Sequence, residues 1–315
     1  MFTAASRLRQ RRDDRPKAAA DEASIERRLV WMIGSPRTGS TWLLNLLALH
    51  PQVRCIDEPL IGAHLGMSLS GLVATEAAAK DGDHVRLIDR YGDRPDYFFS
   101  DRYESVWRPA LRTLLLTRLG AQLRDAAGNP DNDYLILKEP HGSEGADLLS
   151  RTLPEARYLV LVRDGRDVLD SVLDGLRPGA WAADVATVGA APEERARFVQ
   201  SYAKLWVLRT RAALHALEKA GSLGVLVRYE DLLQNTISGL QGIYDWLGLV
   251  VPPDVAGQVE QLSFAALPAE DKGSGHFARA ATPGLWREHL SEAEQQRALQ
   301  IMGPMLHELG YSEPG

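Results

Sequence analysis

The sequence predicts an α/β protein in three layers, a central parallel sheet flanked by helices. Three observations carry that expectation. Four near-continuous apolar runs of strand length, LVWMI (29–33), YLILK (134–138), YLVLVR (158–163) and VLVRY (225–229), alternate with helix-length segments. Such runs suit strands covered on both faces, as crossover helices cover a parallel sheet. The first run breaks at Gly34 into a Gly-Ser-Pro-Arg-Thr-Gly turn and resumes as an apolar, helix-like segment from Ser40. With 315 residues, 45% hydrophobic and 25% charged, the chain can bury the core that such layers require.

Taken in order, residues 1–27 are rich in Arg, Ala and Asp and read as a disordered arm, without the apolar stretch of a secretory signal. Residues 28–315 read as one domain. After the 29–33 strand and the helix from Ser40, VRCI (53–56) is a shorter fifth strand candidate. The interval 61–132 then interrupts the alternation as a helical insertion. It holds a small-residue segment at 62–79 and an aromatic cluster of Tyr91, Tyr97, Phe98, Phe99, Tyr103 and Trp107. Those aromatics read either as plain core or as a wall shaping an acceptor pocket. Beyond the 158–163 strand, 164–176 and 193–219 read as helices, the second stopped by Gly221. Residues 230–247 and 291–309 are helical by pattern, and Pro304 is expected to kink or end the last. The Pro- and Gly-bearing stretch 250–285 reads as a long loop closing over a ligand.

The turn after the first strand makes the fold P-loop-like. A strand, a glycine loop and a helix N-terminus wrap backbone N–H groups around a phosphate and aim a helix dipole at it. Gly34, Gly39 and Thr41 keep the spacing of the nucleotide triphosphatase loop G-x-x-x-x-G-K-[ST], yet Ser40 stands at the lysine position and Arg37 is the loop's cation. That argues for a phosphorylated donor other than ATP-magnesium. YLVLVRDGRDVLDS (158–171) repeats the logic: Arg163 ends a strand, and Ser171 lies two turns into the next helix. Both can reach one anion beside the sheet's carboxyl edge. Two such sites imply a nucleotide with phosphates at both ends of its ribose.

A net charge of −6 argues against nucleic acid as the main partner. The single cysteine, Cys55, excludes an intramolecular disulfide and reads as a small buried residue. No run approaches the roughly 18 apolar residues of a membrane span. A cytoplasmic bacterial protein is the simplest reading of these features.

GSPRTGSTWL (34–43) and VRDGRDVLDS (162–171) together resemble the sulfotransferases that use 3′-phosphoadenosine 5′-phosphosulfate (PAPS). The first is similar to the arginine-containing loop of tyrosylprotein and carbohydrate sulfotransferases and some bacterial enzymes. The resemblance runs from about residue 29 to 290, excluding much of 61–132. It implies that Arg37, Thr38, Gly39, Ser40 and Thr41 hold the 5′-phosphosulfate, that Trp42 beside them also binds the cofactor, and that Arg163 and Ser171 hold the 3′-phosphate. It also implies that Tyr229 lies near the adenine, Trp286 of ATPGLWREHL near the nucleotide, and Arg279 on a phosphate. Glu58, in HPQVRCIDEPL, matches the base of the tyrosylprotein branch. His141, one residue off the histidine of the cytosolic branch, competes and has the side chain that titrates nearest neutrality. Lys138 matches a lysine that stabilises the bridging oxygen, and Arg37 meets charge on the transferring group. The implied reaction moves a sulfuryl group from PAPS, without a metal, to a hydroxyl or amine of a small-molecule, carbohydrate or lipid acceptor. Two alternatives stand beside it: a kinase-like phosphotransferase, which needs a loop lysine and magnesium, and a nucleotide-binding module that turns nothing over.

Overall fold

A computed structural model describes residues 21–65, 92–125, 132–184, 187–189 and 191–311. The apolar runs form five parallel strands: β1 (Leu29–Ile33), β2 (Val53–Asp57), β3 (Tyr134–Lys138), β4 (Arg157–Val162) and β5 (Gly224–Arg228). Their order is β2-β3-β1-β4-β5, and β1 pairs with β3 through Met32↔Lys138 and with β4 through Ile33↔Val160. The chain therefore winds to one side of β1 and then to the other. That places a topological switch point, where α/β sheets bind ligands, at the carboxyl end of β1.

The two-residue period of a strand distributes β1 between two cores. Leu29, Trp31 and Ile33 enter the larger, with α3 (Glu104–Asp125), α4 (Ala146–Thr152), α5 (Gly165–Gly175), α6 (Pro192–Ala220) and α11 (Glu292–Glu308). Val30 and Met32 enter the other, with α1 (Ser40–Leu47) and α8 (Thr236–Leu247). Cys55 is half-buried on that second side, where burial pushes its thiol up to about 12 and keeps it protonated.

The expected arm lies outside the described residues from 1 to 20. Residues 21–26, however, form a helical turn that buries Ile25 and Glu26, so the folded part starts earlier than 28. The pull is specific: Ile25 joins the larger core, and Glu26 accepts the Glu155 N–H at 2.8 Å. The 230–247 helix is two, α7 (Tyr229–Gln234) and α8, parted by Asn235 at φ −134 and ψ 57. Helix α11 starts with a capping box of Ser291 and Glu294 and runs through Pro304 to Glu308. Burial of Met302, Met305 and Leu306 offsets the hydrogen bond that proline removes. The expected loop at 250–285 contains α9 (Val255–Gln261) and is followed by the short α10 (Trp286–His289), just as the short α2 (Ile61–His64) opens the insertion. Within the insertion, Phe99 and Trp107 are core, edge to face at 5.3 Å, whereas Phe98 and Tyr103 are exposed. Tyr91 and most of 62–79 lie outside the described residues. No helix among the described residues is long and apolar enough to cross a membrane.

Candidate active site

The carboxyl ends of the five strands deliver their side chains to one cavity of about 730 Å³, a size typical of small-ligand sites. After β1 the chain turns at Gly34, φ 144, where any side chain would strike the Leu161 carbonyl of β4. Thr38 Oγ1 donates to the Ser35 carbonyl at 3.0 Å and closes the turn, facing away from the cavity. Arg37 (φ 69) and Gly39 (φ 87) are both left-handed, which curls successive N–H groups inward. A Cβ on Gly39 would sit 2.6 Å from the Tyr229 ring. Helix α1 begins at once with no side-chain cap and no acid in its first turn, so its free N–H groups and dipole address the cavity. Ser40, Thr41 and Trp42 line it there, and Trp42 meets Tyr229 edge to face at 6.0 Å.

Arg37 Nε donates to Ser171 Oγ at 3.2 Å and Nη2 donates to the Phe277 carbonyl at 2.6 Å. Its guanidinium lies 4.5 Å from the Phe277 ring centroid and 4.9 Å from that of Trp181. Burial pushes Arg37 down to about 10, still charged at neutral pH. At the end of β4, Arg163 Nη1 donates to the Arg37 carbonyl at 3.2 Å, and its guanidinium covers the Tyr229 ring at 4.5 Å. Arg163 Nε is buried with no hydrogen-bond partner among the described residues. A desolvated donor of this kind is costly until something accepts from it.

Lys138, buried at the end of β3, donates to Asp57 Oδ1 at 2.6 Å, Thr41 Oγ1 at 2.7 Å and Glu58 Oε1 at 3.0 Å. It thereby joins the loop to the end of β2. Glu58 is left-handed (φ 47), its N–H donates to the Lys138 carbonyl at 3.0 Å, and its Oε2 lies 3.8 Å from His141 Nε2. Both base candidates thus share the cavity. Burial, then the charge of Arg209, pushes His141 down, with Glu58 opposing, so the imidazole is neutral at pH 7.

Two groups here escaped the sequence reading. Glu139 is fully buried and accepts the Ile61 N–H at 2.9 Å, fastening the left-handed bend of Glu58 and Leu60. Burial, with the charges of Glu58 and Glu144, pushes its carboxyl up to about 7 against the pull of the Ile61 N–H. Arg209 of α6 lines the cavity and pairs with Glu144 at 2.9 Å, both buried. A charge on the otherwise apolar stripe Leu205, Trp206, Ala212, Ala213 and Ala216 was the signal for Arg209.

The segment after residue 272 is pinned to α5. Asp174 accepts from Ser274 Oγ at 2.6 Å and from the Gly275 N–H at 2.7 Å, and Asp167 accepts the Gly284 N–H at 2.7 Å. Arg279 reaches the cavity edge but donates to Asp170 Oδ2 at 2.6 Å and touches His289. Trp286 is not on the cavity wall. It is buried, with the Arg166 guanidinium 4.3 Å above its ring.

Fold and site define an α/β protein whose sheet edge gathers buried arginines and a free helix N-terminus around one cavity. The sequence model described as "Sulfotransferase family" matches residues 30–253, and the chain belongs to that family. It is 28% identical over 150 residues to protein-tyrosine sulfotransferase 2 of Gallus gallus, a match covering 48% of this chain and 35% of the chicken protein. The chain thus spans about a third of the length of that relative. A Caenorhabditis briggsae protein, provisionally named a protein-tyrosine sulfotransferase, is 23% identical over 289 residues, 90% of this chain and 89% of its own. Among solved structures, mouse sulfotransferase SULT7A1 complexed with PAP superposes with a TM-score of 0.53 at 11% identity. It covers 90% of this chain and 87% of the mouse chain, a likeness of fold.

Proposed function

We propose that the protein transfers the sulfuryl group of PAPS to a hydroxyl or amine acceptor by in-line displacement, leaving adenosine 3′,5′-bisphosphate (PAP). The observation that carries this is the pair of anion sites on one cavity. The uncapped α1 terminus with Arg37 takes the 5′-phosphosulfate, and Arg163, with its unpartnered Nε, and Ser171 take the 3′-phosphate. Trp42 and Tyr229 offer aromatic surface for adenine. A kinase-like reading fits less well, because Ser40 replaces the loop lysine.

In the transfer, the acceptor oxygen forms a bond to sulfur as the bond from sulfur to the bridging phosphate oxygen breaks. Glu58 receives the acceptor's proton. Lys138, within 3.0 Å of both Thr41 and Glu58, meets the charge growing on the bridging oxygen, and Arg37 meets charge on the sulfuryl group. His141 is the second candidate for the proton. Arg37, Lys138 and the helix terminus supply the charge a metal would, so turnover is expected to persist in EDTA. The lone thiol accords with a reducing, cytoplasmic setting.

The test is an acceptor screen with labelled PAPS, read by mass spectrometry for an added sulfuryl group, with tyrosine peptides included because of the relatives' names. Transfer supports the reading. PAP binding without transfer to any acceptor points to a binding module, and dependence on magnesium to a phosphotransferase.

A further inference from the structure

The half of the cavity beyond Glu58 and Arg37 has a chemistry of its own. One stripe of α6, at successive spacings of four, three and four residues, presents Phe198, Tyr202, Leu205 and Arg209 to it. Phe198 and Tyr202 stack with centroids 5.7 Å apart and planes 16° from parallel. Leu176 lines the same cavity, as do Trp181 and Phe277, which meet edge to face at 5.0 Å. Trp181 and Phe277 are 45% and 48% exposed, large aromatic rings left half open to solvent at the cavity's mouth. Exposed aromatic surface gathered at a concave site marks a place where apolar ligand surface is covered.

The cations in this half are already engaged. Arg209 is held by the buried Glu144, and Arg279 is held by Asp170. Arg37 and Arg163 belong to the nucleotide sites. The remaining ionisable groups on the cavity wall, apart from two tyrosines, are the acids Glu58, Asp167, Asp170 and Glu260 and the imidazole of His141. An acidic peptide would thus find, among the described residues that line the cavity, no cation outside the nucleotide sites that lacks an acidic partner. A sugar, with a hydroxyl on nearly every carbon, would lose water from groups the aromatic and aliphatic walls cannot pair.

We infer that the acceptor is an uncharged, largely apolar alcohol or phenol, seated between the Phe198–Leu205 stripe of α6 and the Trp181–Phe277 pair with its hydroxyl at Glu58. This rests on the sulfotransferase reading above and names its acceptor class. It differs from the protein tyrosine in the names of the curated relatives. The Trp181–Phe277 pair also forms the wall of the Arg37 site, so the acceptor would pack beside the sulfuryl group.

The experiment uses the full chain with three probes: 2-naphthol, an acidic tyrosine-containing hexapeptide and a chito-oligosaccharide. Binding to PAP-loaded protein is followed by naphthol fluorescence and calorimetry, and transfer from PAPS by mass spectrometry. Saturable binding and sulfation of 2-naphthol are expected, with kcat/KM at least about tenfold above the other probes. Phe198→Ser, at a part-buried position away from the nucleotide residues, is expected to raise the KM for 2-naphthol by about tenfold or more and leave PAP affinity within about twofold, and Leu205→Ala is expected to raise the same KM. Absence of saturable naphthol binding, or preference for the peptide or the oligosaccharide, overturns the acceptor class while leaving the donor reading intact. Failure to bind PAP at all is the separate result that removes the sulfotransferase reading.

Discussion

Arg163→Ala probes the two-site geometry. The substitution removes three things at once: the donor to the Arg37 carbonyl at 3.2 Å, the cation over Tyr229 at 4.5 Å and the unpartnered Nε. The first two shape the loop and weaken any adenosine nucleotide, at about 0.5–1.5 kcal/mol for the hydrogen bond and about 0.5–1 kcal/mol for the ring contact. The third acts only when a 3′-phosphate is present. A hydrogen bond to a charged group contributes about 1.5–3 kcal/mol, or about 10- to 150-fold in Kd. Calorimetry on both proteins with PAP and with adenosine 5′-monophosphate separates the two effects. The wild type should prefer PAP by at least about tenfold, and Arg163→Ala should shrink that preference by about 10- to 150-fold. An equal loss for both nucleotides, or a wild type indifferent to the 3′-phosphate, would refute the assignment of Arg163.

Three further outcomes follow from the packing. Burial holds Glu139 up at about 7 against a glutamate's ordinary 4.5, so the folded state binds its proton more tightly and loses stability as pH rises through that window. Glu139→Gln should therefore gain about 2.5 kcal/mol relative to wild type between pH 5 and pH 8 in urea titrations, and a pH-independent difference would contradict this. Gly39→Ala forces a Cβ to 2.6 Å from the Tyr229 ring at φ 87; PAP binding should fall about tenfold or more, and unchanged calorimetry would count against the loop geometry. Arg209→Met strands Glu144 in the core and should cost about 3–5 kcal/mol by denaturation. Arg209→Met combined with Glu144→Gln should recover most of that loss.

The fold was legible because its strands are buried on both faces and read as unbroken apolar runs, from Leu29–Ile33 to Gly224–Arg228. The phosphate loop was legible because Gly34 and Gly39 occupy backbone conformations that exclude a side chain. Helix breaks followed tertiary context instead: α11 keeps Pro304 because its buried face holds the turn, and Asn235 parts α7 from α8. In the site, spacing along the chain separated Arg37 and Ser171 into two motifs but could not show that the two touch at 3.2 Å where the motifs meet. The roles of Glu139 and Arg209 depend on what surrounds them after folding, so a lone acidic or basic letter could not reveal them. Trp286 illustrates the converse, since the motif that carries it leaves its ring under Arg166 rather than on the cavity wall.

The central claim is that Glu58 takes the acceptor's proton as the sulfuryl group moves. Its most direct test is the single-turnover rate of sulfuryl transfer from PAPS to 2-naphthol in wild type, Glu58→Gln and His141→Ala. The glutamine keeps an oxygen for Lys138, now at 3.0 Å, but cannot accept the proton at neutral pH. Glu58→Gln should slow transfer by about 100-fold or more with PAP affinity near wild type, and His141→Ala should do less. A nearly active Glu58→Gln beside an inactive His141→Ala would contradict the claim and move the base to the histidine.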